Sequence, residues 1–293
     1  MLSLHWQAIA DLVASAWTGP FHHSYEMPPR RGSSARWVEW HTVHRFSSSP
    51  QEWQCSSLAD AAKQYAWDDI VLEQRNLNNP ITAWTSNECR ERLALSHNSP
   101  ATFHLACIRS LNWGKVGRGR DGKENASVTW LKEALRKGSI VEDVLAAVAL
   151  LNGNENPDQH FGETLPMNSA MTKIYAFADT SGQLAIYDGR VGAALALFAM
   201  DYWHLRDEQL PAELRFAYFD SQTPGKKGSR NPSVGRYHFP TLGKHSVHAQ
   251  SMWRASRILN EAAEIAKCSV LELERALFMI GYDVSRARVR YHS

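Results

Sequence analysis

Four cysteines in 293 residues, Cys55, Cys89, Cys107 and Cys268, are scattered and form no Cys-x-x-Cys pair. That spacing excludes a zinc ribbon and a disulfide framework and leaves reduced thiols as the expectation. No metal and no cofactor is expected. Nowhere does an apolar run approach the roughly 18 to 20 residues that a membrane-spanning helix needs. The opening residues Met1 to Gln7 lack a basic segment followed by an apolar one, so a cytoplasmic protein without a membrane partner is expected. Strand-like alternation is scarce. Whole-chain charge is also small, at +2, and does not by itself announce a nucleic-acid binder.

The distribution of charge says more than its sum. From Ser221 to Asn260 there is no Asp or Glu, while Lys226, Lys227, Arg230, Arg236, Lys244, Arg254 and Arg257 all fall there. Arg109, Lys115, Arg118, Arg120 and Lys123 form a second basic cluster, interrupted only by Asp121. Both segments are rich in Gly and Ser, whose small side chains let main-chain N–H groups approach a phosphate. Two solvated loops would carry the same composition.

What is present is helical patterning. The 44% hydrophobic and 21% charged residues are the balance of an ordered globular chain, and the length fits about two domains. An N-terminal helix over 2–17 is followed by a stretch, 19–50, that reads as irregular. Residues 1–56 are thus expected as a helix with an arm, and 57–293 as a helical body of two subdomains with an active-site cleft between them. In that body the apolar spacing predicts helices over 58–68, 86–96, 103–111, 127–137, 139–151, 166–179 and 251–267, with a weaker one over 208–219. Ser139-x-x-Glu142 and Ser269-x-x-Glu272 read as capping boxes. Gly281 reads as the C′ glycine that ends the last helix. The fold class is mainly α.

One short segment concentrates the chemistry. In Ile186-Tyr187-Asp188-Gly189-Arg190-Val191, Asp188 stands directly before apolar residues at helical spacing, Val191, Ala194, Leu195 and Phe198. It should therefore cap that helix, with its carboxylate held by first-turn N–H groups. A cap is also the commonest fate of an Asp in such a position, so both roles stay open on this evidence. Lys173 lies on the preceding helical stretch, and Arg190 can serve either Asp188 or a phosphate. Eleven Trp are present; Trp84, Trp113, Trp130 and Trp253, with Tyr187, are the flat side chains from which a base-stacking pair would come, and Tyr187 and Trp113 are the leading ones.

The segment from Met167 through Lys173 to Asp179, followed by a turn and Tyr187-Asp188-Gly189-Arg190, resembles the active-site region of helix–hairpin–helix DNA glycosylases, in particular their bacterial 8-oxoguanine-glycosylase-fold branch. The likeness covers about 152–198; the segments Phe103 to Gly114 and Leu277 to Tyr282 look similar to parts of the same branch. Of that superfamily's glycine-rich hairpin, Gly162 and Leu165-Pro166 are present. The resemblance implies two helical layers flanking a base pocket, with Asp188 and Lys173 catalytic, Tyr187 and Trp113 lining the pocket, and Arg190, Arg118, Arg120, Lys226, Lys227, Arg230, Arg236 and Lys244 on DNA. It implies excision of a modified base from DNA. The branch includes anti-phage enzymes, which points to glucosylated hydroxymethylcytosine in phage DNA as substrate. Excision of 8-oxoguanine in repair and a non-catalytic module that recognises modified DNA are the alternatives.

Overall fold

Most helices of this chain start at a short polar residue whose side chain accepts a first-turn N–H. In the computed structural model, which describes residues 2–27, 51–69, 84–117, 123–206, 208–221 and 227–288, Ser3, Ser57, Ser99 and Asn125 cap α1 (Leu4–Thr18), α2 (Leu58–Lys63), α4 (Pro100–Trp113) and α5 (Ala126–Lys137). Thr85 and Ser269 form complete capping boxes with Glu88 and Glu272 at α3 (Ser86–Leu95) and α10 (Val270–Ile280). Further helices among the described residues are α6 (Ile140–Asn152), α7 (Met171–Ala178), α8 (Gly189–Trp203), α9 (His245–Ala266) and α11 (Ser285–Arg288). The chain is mainly α, as its periodicity implies. Among the described residues no helix is long and apolar enough to cross a membrane.

Several expectations need correction. The capping box at Ser139 does not form. Gly138, at φ +79, closes α5 in a Schellman motif in which Gly138 N–H donates to Leu135 and Ser139 N–H to Ala134, both at 3.0 Å. This leaves Ser139 in helical φ/ψ with its hydroxyl donating to Asp143 at 2.7 Å. α7 begins later than 166 because the Asn168 side chain accepts from Ala170 and Met171 N–H at 2.9 and 3.1 Å, acting as the cap. Over 208–219 only the short 3-10 turn Ala212–Leu214 is helical. α2 stops at Lys63 rather than 68, and α9 starts six residues before 251. The stretch expected to be irregular carries β1 (His23–Met27), antiparallel to β2 (Gln51–Cys55) with Tyr25 opposite Trp53.

The chain divides into two compact units, each built from separated segments. Unit one comprises 1–67, 188–242 and 255–293; unit two comprises 68–187 and 243–254. In unit one α10 packs on α2 and α8, and α1 packs on α8 and α2, around fully buried Ile9, Val13, Leu58, Leu195 and Leu277. The strand pair belongs to this core rather than to an arm: Tyr25 stacks on Trp53 at 4.7 Å and donates its hydroxyl to Met279 C=O at 3.2 Å. In unit two α4 packs against α3, α5, α6 and α7. Every residue of α7 is buried, Thr172 and Lys173 included, which makes it the central helix of this unit.

Candidate active site

Asp188 caps α8 in the manner its sequence position implies. One carboxylate oxygen accepts from Arg190 and Val191 N–H at 2.9 and 3.1 Å, which also aligns it with the positive end of the helix dipole. The side chain is half-buried. Two glycines clamp the turn it caps. A Cβ on Gly189 would lie 2.5 Å from the carbonyl oxygen of Phe219 and 2.7 Å from its N and Cβ; one on Gly281 would lie 1.8 Å from the carbonyl oxygen of Arg190. Gly281 has φ −74, so it is not the left-handed C′ glycine expected. The reason for glycine there is the close approach of α10 to α8.

Arg190 does not pair with its neighbour Asp188. Its guanidinium lies over the rings of Phe278 and Tyr282, at 4.2 and 5.1 Å from their centroids, and its Nη1 is buried without a hydrogen-bond partner. A phosphate contact by Arg190 would require it to leave those rings.

Lys173 is in unit two, on α7, and is 7% exposed. Its Nζ donates to Ser169 C=O at 2.8 Å. The aliphatic stem passes over Gly114, where a Cβ would lie 2.4 Å from Cδ and Cε. Glycine at the end of α4 therefore makes the room the stem occupies. Trp113, the residue before it, donates Nε1 to Asp68 at 2.8 Å and sets its ring against Phe177 at 5.0 Å. With 6% exposure it offers little free face. Tyr187 is fully buried, its ring against His248, so in this structure it is a core residue rather than an open stacking surface. Trp253 is also buried, Trp130 donates to Thr164 C=O at 3.0 Å, and Trp84 lies under the Arg109 guanidinium at 5.8 Å.

Three groups in unit two hold the main chain around these residues, and none was singled out from sequence. Asp179, 5% exposed, accepts from the Asn152 amide, from Ser181 N–H and hydroxyl, and from Gln183 and Leu184 N–H at 2.6 to 3.1 Å. This pins the turn that follows α7. His248 on α9 donates Nε2–H to Tyr187 C=O at 2.8 Å, since a carbonyl can only accept. One turn earlier, His245 Nδ1 accepts from Met167 N–H at 2.8 Å. The helix thus grips the chain both before α7 and immediately before Asp188.

Of the expected DNA-contacting residues, Arg118, Arg120 and Lys226 lie outside the described residues. Lys227, Arg236 and Lys244 are exposed and Arg230 is half-buried; the first two and Arg230 belong to unit one and Lys244 to unit two. Burial pushes the Cys55 and Cys89 thiols up to about 12 and Cys268 to about 11, which disfavours the nucleophilic thiolate at each. No group of three potential metal ligands occurs among the described residues. Phe219, 46% exposed, sets its main chain and Cβ against Gly189, the residue after Asp188. No family model, no curated protein and no solved structure matches this chain.

Proposed function

We propose that the protein is a DNA N-glycosylase of the helix–hairpin–helix type, acting in the cytoplasm on phage DNA that carries a hypermodified cytosine. The observation that carries the reading is Asp188: a carboxylate bound at a helix N-terminus through one oxygen, half-exposed, and not neutralised by the nearby Arg190. Hydrolysis of an N-glycosidic bond needs such a group. As the C1′–N bond breaks, its electron pair leaves with the base, and positive charge grows on the deoxyribose. A fixed carboxylate steadies that charge and takes the proton of the water that attacks C1′. The products are the free base and an abasic site.

A stacked base hides its glycosidic bond, so the nucleotide has to leave the duplex first. Exposed Lys227, Arg236 and Lys244 would hold the backbone by phosphate contacts that do not depend on sequence. In the covalent variant of the reaction the Lys173 amine, released from Ser169 C=O and deprotonated, attacks C1′ in place of water; the base leaves with the electron pair of the C1′–N bond, and opening of the sugar ring then gives the Schiff base.

The test offers the full chain a panel of DNAs, including 8-oxoguanine duplexes and phage DNA with glucosylated hydroxymethylcytosine, and identifies released base by mass. Asp188→Asn keeps an N-cap of nearly equal quality, so folding and DNA binding should persist while base release stops. Release at an undiminished rate by that variant removes the reading.

A further inference from the structure

We propose that Phe219 is the aromatic surface on which the extruded base stacks beside Asp188. The inference rests on the glycosylase reading and adds the group that recognises the flipped nucleotide. A single exposed apolar side chain is ordinary on a protein surface. Phe219 differs in how it is mounted and where. Its neighbours Phe216, Ala217 and Tyr218 are buried, whereas Phe219 itself is 46% exposed. Its main chain and Cβ abut Gly189, the residue that follows Asp188.

The backbone that carries the ring is fixed on both flanks. Tyr218 N–H donates to Pro240 C=O at 3.0 Å, and Tyr218 C=O accepts from Leu242 N–H at 2.8 Å. On the other side the Asp220 carboxylate accepts from Ser221, Gly228 and Arg230 N–H at 2.7, 2.6 and 3.3 Å, which ties residues 228–230 to the residue after Phe219. An exposed aromatic residue on a fixed main chain suits stacking by a base, because every base has a π-face and a preorganised partner loses little entropy on binding. The exposed Lys227 of the same loop supplies charge for the adjoining phosphate.

The experiment compares the full-length wild type with Phe219→Ala, Phe219→Leu and Phe219→Tyr. It uses single-turnover base release from the two DNAs named above and the emission of a mismatched 2-aminopurine duplex on binding. Because the ring is exposed, all three variants should melt with the wild type. Base–aromatic stacking predicts that Phe219→Ala and Phe219→Leu slow release roughly 5- to 150-fold and abolish the emission change. Phe219→Tyr should restore both to within about twofold, since it keeps the ring. Release by the wild type that is indifferent to Phe219→Ala, or Leu serving as well as Phe, overturns the stacking and leaves the glycosylase reading intact. A wild type that releases no base but shows a Phe219-dependent emission change supports the stacking and overturns catalysis. Neither release nor an emission change overturns both.

Discussion

Gly281→Ala tests how the first turn of α8 is held in place. At φ −74 and ψ 4 the backbone suits any residue. If Gly281 only ended a helix, alanine would stabilise the protein by about 0.4 to 1 kcal/mol, because the unfolded chain would have less freedom to lose. The surroundings reverse that sign. The new Cβ would lie 1.8 Å from the Arg190 carbonyl oxygen, 2.4 Å from its carbon and 2.8 Å from its Cα. The oxygen is 1.2 Å inside the 3.0 Å that Cβ atoms keep. All three atoms are main chain, so relief requires α8 and α10 to move apart. Overpacking costs about 1 to 3 kcal/mol where side chains can yield, and here they cannot, so a cost of about 3 kcal/mol or more is expected.

Separation of the two helices also disturbs the Asp188 cap, worth about 1 kcal/mol more. Equilibrium urea unfolding of the variant measures the sum. Gly138→Ala is the control: that glycine has φ +79 and open space around its missing Cβ, so its cost is the left-handed backbone alone, about 1 to 2 kcal/mol. If Gly281→Ala matches the wild type, or costs less than Gly138→Ala, the argument from close approach is wrong.

Two further outcomes follow from the same geometry. In Gly114→Ala the new Cβ meets the Lys173 stem at 2.4 Å; the stem is flexible, so stability should fall by only about 1 kcal/mol while Nζ leaves Ser169. Acetylation of Lys173, read by mass spectrometry on the folded protein, should rise several-fold, and an unchanged extent would show that Gly114 does not set the amine's position. Glu272 gives a pH dependence. Ser269 N–H and hydroxyl hold its carboxyl below the ordinary carboxylate range, so the folded state favours the anion. Its stabilisation is complete above the unfolded value of about 4.3 and is lost as pH falls through the lower folded value. Glu272→Gln should flatten the acid limb of stability against pH, and an unaltered limb would mean that the capping box contributes nothing there.

What was legible in the sequence was closed within a turn or two of chain. Asp188 declared itself a cap because Val191, Ala194 and Leu195 follow it at helical spacing, and the Ser269–Glu272 box needs only four consecutive residues. The same pattern at Ser139 failed because the ending of α5 at Gly138 took the backbone that a cap needs. A local signal loses where the preceding element has already used its residues. Features that require distant segments to meet left no such trace. β1 was missed because its partner lies across 28–50. Gly281 was read as a glycine needed for its own φ, when the need belongs to Arg190 almost a hundred positions earlier. Trp113 and Tyr187 carried the right chemistry for stacking, but burial removes their faces. Phe219, inside a segment patterned like a weak helix, keeps its ring in solvent because flanking main-chain bonds hold that segment extended. Residue type and spacing therefore located the capping carboxylate at Asp188, but which aromatic residue packs its main chain against the next position depends on a contact between distant segments that Gly189 permits, and that residue is Phe219.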